Sequence, residues 1–146
     1  MIDSYLIFPL ANYAAKLVEK ETSPKYYFMD TGLVGLRLLD CKSAQLENLV
    51  AIELVRRYGM ENVFYFENNV EIDFYVPDEK LAIQVSLQVL DCLDTRERET
   101  RAFVKLHNFI PDTKCLIITN SEEASVECDG ILISVLPAWK WLLETP

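Results

Sequence analysis

Residues 71–86 read "EIDFYVPDEKLAIQVS", two alternating segments either side of a turn. Ile72, Phe74 and Val76 alternate with Glu71, Asp73 and Tyr75; Leu81, Ile83 and Val85 alternate with Ala82, Gln84 and Ser86. Pro77 and Asp78 stand where a tight turn favours a preset φ and a local side-chain hydrogen bond. The period of two predicts a hairpin with both apolar sets on one face and Asp73, Gln84 and Ser86 on the other. An acid, an amide and a hydroxyl on one side of a hairpin are either plain solvent-facing residues or the worn remains of a metal site.

Working outward, "NVFYFEN" (62–68) is a third strand close enough to make an antiparallel meander with the hairpin. Before it, "AQLENLVAIELVRRY" (44–58) predicts a helix capped by Ser43 and stopped by Gly59. Val50, Ala51, Leu54 and Tyr58 share its apolar face, Glu47 falls in the middle of that face, and Glu53, Arg56 and Arg57 take the polar side. After the hairpin, "DTRERETRAFVKLHNFI" (94–110) predicts a second helix with a capping box of Asp94 and Glu97. Its buried stripe is Ala102, Phe103, Leu106, Phe109 and Ile110, and its far side gathers Arg98, Arg101 and Lys105. "KCLIITN" (114–120) is a strand, "SEEASVECDG" (121–130) an acidic connector, "ILISVL" (131–136) a last strand and "PAWKWLLE" (137–144) a short closing helix that packs its tryptophans on the core. At the other end, residues 5–18 are apolar without one period, and "KYYFMDTGL" (25–33) is a strand ending in an aspartate turn. These two pieces pair as a small hairpin, after which Gly32 and Gly35 loosen the chain. The expected class is α/β, a mixed central sheet flanked by helices.

The formal charge of −9 bears on function more than the apolar content does. A polyanion would be repelled by the chain as a whole, so any nucleic-acid contact must come through a local patch or a partner. The four cysteines form no CxxC pair and His107 is the only histidine, which argues against a zinc cage and for reduced thiols in a cytoplasmic protein. No apolar run approaches the ~20 residues of a membrane span. The start "MIDSYLIFPL" has no basic region ahead of its apolar run, so no secretory leader is expected. With glycine only at 32, 35, 59 and 130 there is no phosphate loop, and no GxSxG elbow or HExxH helix appears.

Glu47, Asp73, Gln84 and Ser86 remain. A metal-dependent nuclease needs two or three oxygen ligands on rigid elements around Mg²⁺, with a lysine nearby for the developing charge. A helix glutamate and a strand aspartate are present; the second strand offers "IQVS", an amide where a carboxylate is wanted and a serine where the cation should stand. Arg98, Arg101 and Lys105 read as a solvated helix face or a phosphate track. They reach the site only if that face turns towards it, which the apolar stripe argues against.

"KYYFMDTGL", "LENLVAIELVRR", "VEIDFYV" and "IQVS", in that order, resemble the C-terminal domain, of unknown function, of a family of bacterial and archaeal AAA-type ATPases. That domain is similar to the restriction-endonuclease-like PD-(D/E)xK fold, whose core runs helix-strand-strand-strand-helix-strand. The resemblance covers nearly the whole chain. It implies that 1–35 is the tail of a winged-helix-like segment, a strand hairpin, and 36–146 the restriction-endonuclease-like domain. By the same resemblance Glu47, Asp73 and Gln84 match the catalytic and metal positions, and Ser86 falls on the lysine. Loss of one charge-stabilising group typically costs ~10²–10³ in rate. Together with the amide, that implies weak Mg²⁺ or Mn²⁺ binding or none, and a weak or dead nuclease without an ATP site of its own. The expected role is a non-catalytic accessory module of an AAA-type ATPase domain on the same or a separate chain. Its further partners are nucleic acid, met through Arg98, Arg101 and Lys105, or a second copy of the chain, and not a membrane. The alternatives are an active Mg/Mn-dependent phosphodiesterase using Glu47, Asp73 and Gln84, and a pure protein-interaction domain.

Overall fold

The computed structural model describes residues 6–18, 22–33 and 42–144. Its elements are β1 (Ile7–Asn12), α1 (Tyr13–Val18), β2 (Lys25–Phe28), α2 (Lys42–Tyr58), a 3-10 turn (Met60–Asn62), β3 (Phe64–Glu67), β4 (Glu71–Val76), β5 (Leu81–Val85), α3 (Leu93–His107), β6 (Lys114–Thr119), β7 (Ala124–Cys128), β8 (Ile131–Pro137) and α4 (Ala138–Leu143). The strands lie in the order β2-β1-β3-β4-β5-β6-β8-β7 in an eight-stranded sheet. β3, β4 and β5 make the expected antiparallel meander, and β6, arriving after α3, runs parallel to β5. β1 and β2 form the expected hairpin, and β1 then runs parallel to β3, which places both strands on the sheet of the later elements. The loosening expected at Gly35 lies outside the described residues.

Two apolar layers hold the sheet between helices. On one face, Val50, Ala51 and Leu54 of α2 and Trp141 of α4 meet Phe74, Ile83 and Ile118. On the other, Ala102, Phe103 and Leu106 of α3 meet Phe66, Ile72, Tyr75 and Ile117. The helical stripes are therefore where a 3.6-residue period puts them. Phe109 is the exception: it lies past the end of α3 and is exposed. Of the closing tryptophans, Trp141 is buried and Trp139 exposed.

Three expectations are corrected. The acidic connector contains β7, an edge strand in which Val126 is buried between exposed Ser125 and Glu127; pairing with β8 outweighs its polar composition. The capping box does not form, because α3 begins at Leu93 on Cys92, which makes no side-chain cap bond, and Glu97 pairs with Arg101 instead. On the polar side of α2, Glu53 and Arg57 do pair at i,i+4; Glu53 is buried, and Arg57 donates to the Trp141 carbonyl at 2.8 Å and lies over its ring. The largest correction concerns the hairpin. Phe64 pairs with Tyr75 and Phe66 with Ile72, so β4 spends three residues where β3 spends two. That bulge reverses the side-chain alternation, and Ile72 packs under α3 while Phe74 and Val76 pack under α2.

Candidate functional site

β4 and β5 are zipped from Val76↔Leu81 to Phe74↔Ile83 and then part. β5 continues on β6, with Val85 opposite Ile118 and the Ser86 N–H donating to the Ile118 carbonyl, while β4 leaves through its bulge. In the fork so formed, side chains replace the backbone ladder. The Asp73 N–H donates to Gln84 Oε1 at 2.9 Å, Gln84 Nε2 donates to the Glu71 carbonyl at 3.0 Å, and the Val85 N–H donates to Asp73 Oδ2 at 2.8 Å. Each strand thus lends a side chain to the other's backbone. Two further amides do the same work: Asn48 of α2 holds both the N–H and the carbonyl of Phe28 on β2, and Asn12 holds those of Glu67 on β3. A buried backbone group without a partner costs ~1–3 kcal/mol, which is why these amides are nearly fully buried.

A cavity of about 670 Å³ opens at the fork. Glu47 of α2 and Glu99 of α3 both line it. Each heads its helix's apolar stripe, at i against i+3, i+4 and i+7: Glu47 before Val50, Ala51 and Leu54, and Glu99 before Ala102, Phe103 and Leu106. The two helices therefore deliver one carboxylate each to the same opening. Glu47 is half-buried and accepts the Tyr27 hydroxyl at 2.8 Å. Burial, and then the neighbouring Glu47 charge, push the Tyr27 hydroxyl far above its ordinary range, so it is a neutral donor. Burial also raises the Asp73 carboxyl to about 7, with Glu47 adding to the shift and the Val85 N–H opposing it. The Lys25 ammonium pairs with Glu71; burial works against its charge, but Glu71, Asp73 and Glu47 together raise it above its usual value.

The structure brings Glu47, Asp73, Gln84, Arg98, Arg101 and Lys105 to this cavity. That overturns the expectation that α3 turns its basic side away. Ser86 does not line the cavity: β5 ends at Val85, and the Ser86 hydroxyl donates to the Gln88 carbonyl at 2.9 Å in the bend that follows. The cations are largely committed, Arg98 to Glu99 and Arg101 to Glu97. In total six carboxylates line the cavity against three cations. Sequence reasoning missed Lys25, Tyr27, Asn48 and Glu99. Glu99 was findable by the test that isolated Glu47, a carboxylate at the head of an apolar stripe.

The Mg²⁺ or Mn²⁺ implied by the resemblance does not fit these residues. Gln84 uses its oxygen and its nitrogen on the β4 backbone. Asp73 has one oxygen committed to the Val85 N–H. Among the described residues no three Asp, Glu, His or Cys side chains are grouped as a metal site. Nor, among the described residues, is any helix long and apolar enough to cross a membrane.

No protein-family model matches the chain. It is similar to an uncharacterized protein of Methanocaldococcus jannaschii, with 35% identity over 154 aligned positions that cover 97% of this chain and 34% of that protein. The chain thus spans about a third of the length of the curated relative it matches. No solved structure matches it.

Proposed function

We propose that this chain is a restriction-endonuclease-like domain without catalysis, acting as an accessory module of an AAA-type ATPase through protein contacts and, secondarily, nucleic acid. The observation that carries the reading is Gln84. Its carboxamide occupies the ligand position of the resemblance but spends both ends on the backbone of Asp73 and Glu71. Held at both ends by the β4 backbone, the amide serves as a structural strut. Two further features support the reading. A helix, a three-stranded meander, a helix and a parallel strand follow one another as that core requires. The similar archaeal protein carries the matched sequence as a third of a longer chain, the setting an accessory module needs.

Charge favours protein over nucleic acid as the main partner. Two of the three cavity cations already hold carboxylates, and a phosphate backbone would also meet the net negative wall. Calorimetric titration of the purified chain with Mn²⁺, alongside Asp73→Ala, tests the reading without a guessed substrate. Neither protein should bind in the micromolar range. Micromolar binding that disappears in Asp73→Ala would instead support a working phosphodiesterase.

A further inference from the structure

An open sheet has two edges, and in this protein they are finished differently. An edge strand turns alternate N–H and C=O groups outwards, where a further strand can bond them. At one edge, β2, Asn48 of α2 takes both the N–H and the carbonyl of Phe28, so a helix side chain fills the place of a neighbouring strand. At the other edge, β7 pairs with β8 along its whole length, from Ala124↔Val135 to Cys128↔Ile131. Among the described residues, no loop or side chain bonds its backbone on the outer side. β7 holds no proline, lysine or arginine and its register with β8 has no bulge, so the devices that commonly blunt an edge are missing. Charge decides what can join it. Residues 121–130 carry four carboxylates, Glu122, Glu123, Glu127 and Asp129, and no cation. Glu122 is spent on the Val89 and Leu90 N–H groups, and Glu123 pairs with Lys140. Glu127 and Asp129 are exposed, and Glu127 lies within β7 opposite Leu132 of β8, itself 66% exposed.

We propose that β7 is a docking edge for an extended segment of another protein that carries lysine or arginine at alternate positions. The segment continues the sheet beyond β7, and the backbone ladder supplies affinity while alternate side chains supply specificity. On the face of Ser125 and Glu127 its basic side chains meet the unspent carboxylates. On the α3 face its intervening side chains lie beside buried Val126, where apolar residues fit. A second copy of the chain is a poor occupant, because two acidic edges and two net charges of −9 would face each other. The proposal rests on the protein-contact part of the reading above and names the chemistry of the partner.

The probe is a short labelled peptide alternating lysine with valine, titrated against the purified chain by fluorescence polarisation. Beside it run its glutamate counterpart and a version N-methylated at every amide, which keeps the charge but cannot form the ladder. The lysine peptide should bind at least about tenfold more tightly than either control. Glu127→Lys should weaken it by about tenfold and Glu127→Gln by less, with thermal unfolding showing that both variants fold. Hydrogen exchange should slow at the outward amides of β7 when the lysine peptide is bound. Equal binding of the methylated peptide, indifference to Glu127→Lys, slowed exchange at Tyr26 and Phe28 in place of β7, or no binding at all overturns the inference. The Mn²⁺ titration judges the non-catalytic reading separately. Asp73-dependent binding there sinks that reading and leaves the edge standing, whereas failure of the lysine peptide removes only the edge.

Discussion

Glu53 and Asp73 are both acidic side chains shielded from water, and the protein treats them in opposite ways. Glu53 has a side chain 11% exposed and accepts three short hydrogen bonds, two from Arg56 and one from Arg57. Hydrogen bonding from Arg56, with Arg57 behind it, holds its carboxyl down at about 2 despite burial. Asp73 has one backbone donor and a second carboxylate, Glu47, close by, and its carboxyl rises to about 7. The first carboxylate is part of a latch that fastens α4 to α2 through Arg57 and Trp141. The second is held in an environment that disfavours its charge, in the lining of a cavity. The two sites separate a charge satisfied inside the molecule, which helps to hold the fold, from a carboxyl beside a cavity whose ionisation the surroundings oppose.

The contrast is broken most severely at the latch. Glu53→Ala leaves the Arg57 guanidinium, only 4% exposed, without its counter-charge, and should cost about 3–5 kcal/mol of unfolding free energy in urea denaturation. The wild type should also lose the Glu53 contribution as pH falls from about 4.5 towards 2, because the folded state resists the proton that the unfolded chain accepts.

Gln84→Ala strikes the fork. It leaves the Asp73 N–H and the Glu71 carbonyl without partners and should cost about 1–3 kcal/mol by the same measurement. Hydrogen exchange at Asp73 should quicken more than at Tyr75, which lies on the zipped side.

Asp73→Asn sharpens the comparison by reversing its sign. With the folded carboxyl near 7 and the unfolded one near its ordinary value, the unfolded chain releases the proton first, and stability falls as pH rises between about 4 and 7. Asn keeps an acceptor for the Val85 N–H and removes that penalty. The variant should therefore gain stability at pH 8, of order 1–2 kcal/mol after screening by cavity water, and gain little at pH 4. A loss at both pH values would mean that the charge is not the cause.

The smallest effect is expected at Arg56. Its side chain is 67% exposed, so Arg56→Ala should move the urea midpoint far less than Glu53→Ala does, although Arg56 shares Glu53 with Arg57. Equal costs at Arg56 and Arg57 would contradict the division of the latch into a buried and a solvated half.

The helices and most strands were legible because their signals are local. Val50, Ala51 and Leu54, like Ala102, Phe103 and Leu106, recur at helical spacing, and each set is buried. β7 was obscured by its Ser and Glu residues, although Ala124–Cys128 alternates as an edge strand should. The basic side of α3 was assigned correctly as a face, but facing the cavity depends on where the helix crosses the sheet, which periodicity does not encode.

Local patterning was enough to specify the mixed α/β class, the meander, the two helical stripes and the presence of Glu47, Asp73 and Gln84 as unusual polar residues. Tertiary structure alone decided what those residues do. A register of two residues against three between β3 and β4 is a relation between strands, and it moves Ile72 to the opposite face. The parting of β4 from β5 exposes backbone groups that Gln84 and Asp73 then satisfy, while Ser86, two positions from Gln84, falls beyond the last pair and turns to Gln88. Lys25 is 46 residues from Glu71 along the chain, and they meet only because β1 and β3 set β2 and β4 on one sheet. Local periodicity specifies which way a side chain points along its own element; which backbone groups and charges lack partners is settled only when the elements meet.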